Sequence, residues 1–175
     1  MSRPQKRASA LRLMAFDVDG VLTDGTIWYS AEGDAFKGFS TLDGHGLKML
    51  EMAGITLAII TGRRSRSVEL RCENLGIKRL YQGVEDKRAK LDELLAELSL
   101  TREQAGYMGD DVVDLPILRA CGFAATTADG HPLVREHVDL VSQRGGGRGA
   151  AREVCDFILA SQGKLDALYA RYVTD

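Results

Sequence analysis

Asp17 and Asp19 stand two residues apart in "MAFDVDGVLTDG" (Met14 to Gly25), directly behind a short apolar run. In extended chain their side chains leave on the same side. Like charges so close repel, and each carboxylate is costly to desolvate. Polar residues recur where later apolar runs stop: Thr61 after "ITLAII", Lys87 a little beyond "RLYQG", and Asp110, Asp111 and Asp114 after "AGYMG". Brought together, Asp17, Asp19 and Asp110 would form a cluster of hard oxygen ligands. Such a cluster needs a cation, and Mg2+ suits a few carboxylates completed by water and a substrate phosphate.

The elements that must position these residues alternate. "LRLMAF" (11–16), "ITLAII" (55–60), "RLYQG", "AGYMG", "FAAT" and "DLVS" read as short buried strands. Between them, helices are expected around Leu47, Leu50 and Ala53, over 65–75, over 87–98, and over 113–120 with Pro116 in its early part; an amphipathic helix over 148–160 follows. The alternation predicts an α/β fold, a Rossmann-like parallel sheet with helices on both faces. Ligands of such sheets bind outside the carboxyl ends of the strands, where all the acids fall. One stretch breaks the pattern: "TIWYSAEGDAFKGFS" (26–40) reads as a β-hairpin turning near Glu32, Gly33 and Asp34.

The chain's 175 residues, 45% apolar and 27% charged, are expected to form one domain over 11–175, with residues 1–10 as a frayed tail. A net charge of −2 gives no basic field for nucleic acid. No apolar run approaches the roughly 18 residues needed to span a membrane. Cys72, Cys121 and Cys155 lack CxxC spacing and read as buried thiols of a cytoplasmic protein, and "MSRPQKRASA" lacks the apolar core of a secretory signal.

Taken together, "DVDGVLTDG", the threonine of "ITG", Lys87 and "GDDVVD" resemble, in order, the four motifs of the haloacid-dehalogenase-like phosphatases. The strings "AIITGRRSRSVELRCENLGI", "LYQGVEDK", "GDDVVDLPIL", "ADGHPLV" and "GGGRGAAREVCDFIL" are similar to its capless members that dephosphorylate 3-deoxy-D-manno-octulosonate (KDO) 8-phosphate in lipopolysaccharide biosynthesis. The resemblance implies that Asp17 is the nucleophile and that Asp19 serves as general acid and then general base. Mg2+ would be held by Asp17, the Asp19 backbone carbonyl and Asp110. Thr61, Lys87 and backbone N–H groups near Val18 and Gly62 would bind phosphoryl oxygens. Asp111 and Asp114 would orient the metal, its waters or Lys87, or else cap the helix that follows. Arg63 or Arg71 would grip the substrate carboxylate. Asp24, His45 and His131 read as turn or capping residues.

Too few residues separate the motifs for a cap domain. The hairpin and the glycine-hinged segment 145–175 ("RGGGRG" onward) are therefore expected to cover the site, supplied between subunits of a homotetramer that the resemblance implies. The residues leave open whether 148–160 belongs to a mobile lid or is the last helix of the sheet. The partner expected is a small sugar phosphate. A nine-carbon sugar acid phosphate, or a non-catalytic interaction role on the same fold, are the alternatives; the intact set Asp17, Asp19, Lys87 and Asp110 argues against the last.

Overall fold

The structure, a computed structural model, describes residues 1–173; the last two residues of the expected C-terminal segment lie outside them. In chain order the elements are α1 (Arg3–Ser9), β1 (Leu13–Phe16), β2 (Trp28–Ser30), β3 (Gly33–Phe36), α2 (Thr41–Met52), β4 (Thr56–Thr61), α3 (Arg66–Leu75), β5 (Leu80–Gln82), α4 (Lys87–Leu98), β6 (Ala105–Met108), α5 (Leu115–Leu118), β7 (Phe123–Thr126), α6 (Pro132–Arg135), β8 (Leu140–Val141), α7 (Ala150–Ser161) and α8 (Leu165–Val173).

Six strands form one sheet in the order β5-β4-β1-β6-β7-β8, every pair parallel. β1 is buried on both faces, which is why it reads as an unbroken apolar run. Met14 and Phe16, with Leu57, Ile59 and Met108, face the layer of α2, α3 and α7; Leu13 and Ala15, with Ala58, Ile60 and Tyr107, face α4, α5 and α6. Chain order reverses at β1, which lies between β4 and β6, and the paired register aligns Phe16 with Ile59 and Met108. The residues that follow these strands therefore emerge side by side at the switch point, where open α/β sheets bind ligands.

The hairpin of β2 and β3 is separate, antiparallel, and carries a stacked Trp28–Phe36 pair at 5.3 Å. Trp28, Tyr29 and Phe36 are exposed on it. Short α6 and the terminal α8 had no clear sequence signal. The helix expected over 113–120 is a 3-10 turn, Val112–Asp114, followed by one turn of α5.

One expectation is corrected. Residues 1–10 are not a frayed tail: Ser2 and Gln5 form a capping box that starts α1, Ala8 is fully buried, and Arg7 pairs with Asp139 at 2.7 Å. The glycine run that opens the C-terminal segment packs against the loop behind Asp17. Gly147, at φ +63°, donates its N–H to the Val21 carbonyl at 2.9 Å, and a Cβ on Gly146 would lie 2.0 Å from the Gly20 carbonyl oxygen. The glycines let two backbones cross in contact. Beyond them α7 is core, with Val154, Cys155, Ile158 and Leu159 fully buried. Burying Val154, Ile158 and Leu159 contributes about 1.5–3 kcal/mol each, a large share of a domain's stability of about 5–15 kcal/mol, so freeing this helix would be costly.

Candidate active site

Asp17 follows β1 and is only 7% exposed. Its backbone N–H continues the sheet to the Met108 carbonyl at 2.9 Å. Lys87 is the first residue of α4, a helix started by the Asp86 side chain accepting from the Ala89 N–H at 2.9 Å. From there Lys87 Nζ donates to Asp17 Oδ2 at 2.8 Å and to Asp114 Oδ1 at 2.6 Å. Asp114 is completely buried and fully engaged. Its Oδ1 also accepts from the Tyr107 hydroxyl at 3.1 Å, and its Oδ2 accepts the backbone N–H groups of Asp110 at 3.0 Å and Asp111 at 3.4 Å. Asp114 thus fixes both the lysine and the loop carrying Asp110.

Burial pushes the Asp17 carboxyl up to about 6, although the Lys87 ammonium pulls the other way. Burial, then repulsion from Asp17, Asp114 and Asp111, pushes Asp110 up to about 7. Burial works to lower Lys87, but Asp17 and Asp114 outweigh it and hold the amine above its ordinary value. One oxygen each from Asp17, Asp110 and Asp114 lies within 4.8 Å of the others. Four donors already occupy Asp114, so the oxygens with spare lone pairs are those of Asp17 and Asp110. Crowded hard oxygens that resist ionisation fit a divalent cation of the Mg2+ kind. Gly20 completes the cradle: its φ is +84°, and a Cβ there would lie 2.1 Å from Asp110 Oδ2.

The cleft has a volume of about 460 Å3 and is lined by Asp17, Asp19, Gly20, Thr61, Gly62, Arg63, Lys87, Asp110, Asp111 and Val113, among others. Thr61, at the end of β4, is 2% exposed. Asp111 is exposed and caps the 3-10 turn, its Oδ1 accepting the Val112 N–H at 2.7 Å.

No family model matches the chain. It is 44% identical over 160 residues to the 3-deoxy-D-manno-octulosonate 8-phosphate phosphatase of Escherichia coli, an alignment that covers 91% of this chain and 85% of the relative. Among solved structures, a probable YrbI family phosphatase from Pseudomonas syringae superposes with a TM-score of 0.96 at 47% identity, covering 99% and 98% of the two chains. The 3-deoxy-D-manno-octulosonate 8-phosphate phosphatase of Moraxella catarrhalis, solved with a magnesium ion, a phosphate ion and KDO, does so with a TM-score of 0.95 at 41% identity, covering 98% and 99%. The chain belongs to the KDO 8-phosphate phosphatase family. The parallel sheet with helices on both faces is that of its haloacid-dehalogenase-like neighbours.

Of the two arginines considered for the carboxylate of a substrate of this family, the cleft contains one. Arg63 lines it, donating through Nη1 to the Tyr29 hydroxyl at 3.1 Å, with Nε 3.9 Å from Asp19 Oδ2. Arg71 does not reach the cleft of its own chain. Its Nη2 donates to the Ser40 carbonyl at 3.0 Å, its Nη1 to Asn74 at 3.1 Å, and it stacks over Phe39. Gly44 makes room for it, since a Cβ there would lie 2.2 Å from Nη2. The helical turn of α3 carries Arg71 toward α2, which the spacing from Arg63 did not reveal.

Two participants were missed in the sequence. Tyr107 sits in an apolar strand, where its phenol was the only sign of a polar partner. Lys37 follows the hairpin and donates to Asp19 Oδ1 at 2.5 Å. Its sole signal was a cation between aromatics in "AFKGF".

Proposed function

We propose that this chain hydrolyses KDO 8-phosphate to KDO and inorganic phosphate, as a Mg2+-dependent phosphomonoesterase acting through a phosphoryl-aspartate. The observation that carries the reading is Lys87 bridging Asp17 and Asp114 beside Asp110, in a member of this family.

The Asp17 carboxylate attacks phosphorus and the bond from phosphorus to the sugar oxygen breaks. Asp19 gives its proton to the departing alkoxide. It then takes a proton from the water that attacks phosphorus, releasing phosphate and restoring Asp17. Thr61, Lys87 and the N–H groups near Val18 and Gly62 hold the phosphoryl oxygens, while Arg63 takes the sugar carboxylate. Asp17, Asp110 and the Asp19 carbonyl would hold the Mg2+, which would supply charge neutralisation to the transferring group. Asp114 keeps Lys87 and the 110–111 loop aimed, and Asp111 caps the turn behind them.

The enzyme works in the cytoplasm as a homotetramer whose hairpins meet at the centre. Exposed Trp28, Tyr29 and Phe36 support that assembly. Sedimentation at micromolar concentration should give four chains per particle.

The test of function is a comparison of kcat/KM on KDO 8-phosphate and a nine-carbon sugar acid phosphate. The eight-carbon substrate should win, and chelation should stop turnover until Mg2+ returns. Asp17→Asn should show no turnover with an unchanged melting curve. Substantial activity in that variant rejects the phosphoryl-aspartate.

A further inference from the structure

We propose that Lys37 is a positioning residue for proton transfer: it pins one oxygen of Asp19 so that the other faces the leaving group. The inference rests on the assignment of Asp19 as acid and base and extends the site to the hairpin. Lys37 is a buried lysine, its side chain 1% exposed, with Nζ 2.5 Å from Asp19 Oδ1. A buried ammonium is stable only when paired, and the Asp19 carboxylate is a partner within hydrogen-bond reach. Asp19 Oδ2 is on the other side, 3.9 Å from Arg63 Nε at the cleft. Arg63 in turn meets Tyr29 of β2. The hairpin therefore grips the site of its own chain at two points, one through Lys37 and one through Tyr29.

This arrangement assigns the proton to a particular atom. Lys37 occupies Oδ1, which leaves Oδ2 to carry the proton to the bridging oxygen of the leaving group and to receive one from the attacking water. A carboxylate free to rotate would present that oxygen only part of the time. Misplacing a reacting group by about 1 Å costs about 10²-fold in rate.

The experiment exploits the leaving group. Both kinetic steps use Asp19, but kcat/KM reports only events through the first phosphoryl transfer. A sugar alkoxide needs a proton to depart, whereas p-nitrophenolate does not. Lys37→Met keeps the length and apolar stem of the side chain. It should lower kcat/KM on KDO 8-phosphate about 10²-fold and on p-nitrophenyl phosphate only a few fold, with Lys37→Arg restoring most of the loss. Asp19→Asn should show the same asymmetry, and adding Lys37→Met to it should cause little further loss, because the two act as one unit. Lys37→Gln serves if the Met variant does not fold.

Equal losses on both substrates, no loss, or losses that multiply in the double variant would overturn the proposal. Any alkyl phosphate that the wild type accepts can replace KDO 8-phosphate. A wrong substrate assignment therefore leaves this test intact, while wild-type protein inactive on every phosphate ester overturns both.

Discussion

At the floor of the cleft, Asp17 and Asp110 take up protons more readily than free aspartates do. Their ordinary value is 3.8; burial leads in raising them to about 6 and about 7. The sign follows by linkage. Across that window the folded chain binds more protons than the unfolded chain, so these two groups support the fold below pH ~4 and lose that contribution as pH rises toward 7. A divalent cation held by the ionised pair would reverse the loss. In chelator, the melting temperature of Asp110→Asn should therefore fall less between pH ~5 and ~8 than that of the wild type. At pH ~8, Mg2+ should raise the wild type and leave the variant nearly unmoved. An identical pH slope and Mg2+ shift in both proteins would remove Asp110 from the metal site. Asp17, Asp110 and Lys87 were legible in the sequence because their chemistry is costly to hide anywhere but a site. Tyr107 and Lys37 were not, because their importance lies in a partner that only folding brings near.

Among the elements, α7 has the least obvious support. Its N-cap is Gly149, which offers no side chain, and Asp43 of α2 substitutes: Oδ1 accepts the Arg152 N–H at 2.8 Å and Oδ2 the Gly149 N–H at 3.2 Å. Asp43 is 2% exposed, so water cannot replace it. Asp43→Ala should cost about 1–2 kcal/mol of stability, in the upper range for lost caps, with little change in KM; urea denaturation measures it. A variant as stable as the wild type would show that the helix needs no such anchor. Strands β1, β4, β6 and β7 could be read from their apolar runs, and α4 from its leucines. The start of α2 at Thr41 could not, because two glycines dilute its helical signal and its cap, Ser40, lies in the hairpin's return. The N-terminal helix was hidden for a related reason: seven residues form no stable helix alone, and α1 depends on packing against α7.

On the scale of the whole molecule, the hairpin and the glycine run, both expected to cover the site, are built differently. The hairpin projects exposed aromatic residues and reaches the cleft through Tyr29 and Lys37. The glycine run packs beneath the nucleophile loop and leads into core. Ending the chain near residue 144 should thus lower the melting temperature sharply and reduce activity on KDO 8-phosphate and p-nitrophenyl phosphate in parallel. Loss confined to the sugar phosphate, with an unchanged melting curve, would return the segment to the status of a lid. The crossing of Gly146 and Gly147 over Gly20 to Thr23 also sets an order of events at the ribosome. The loop behind Asp17 leaves the exit tunnel more than 120 residues before its supporting backbone arrives. A fragment that stops before Gly146 lacks the backbone that supports Gly20 to Thr23, and phosphatase activity should be absent until that stretch has emerged.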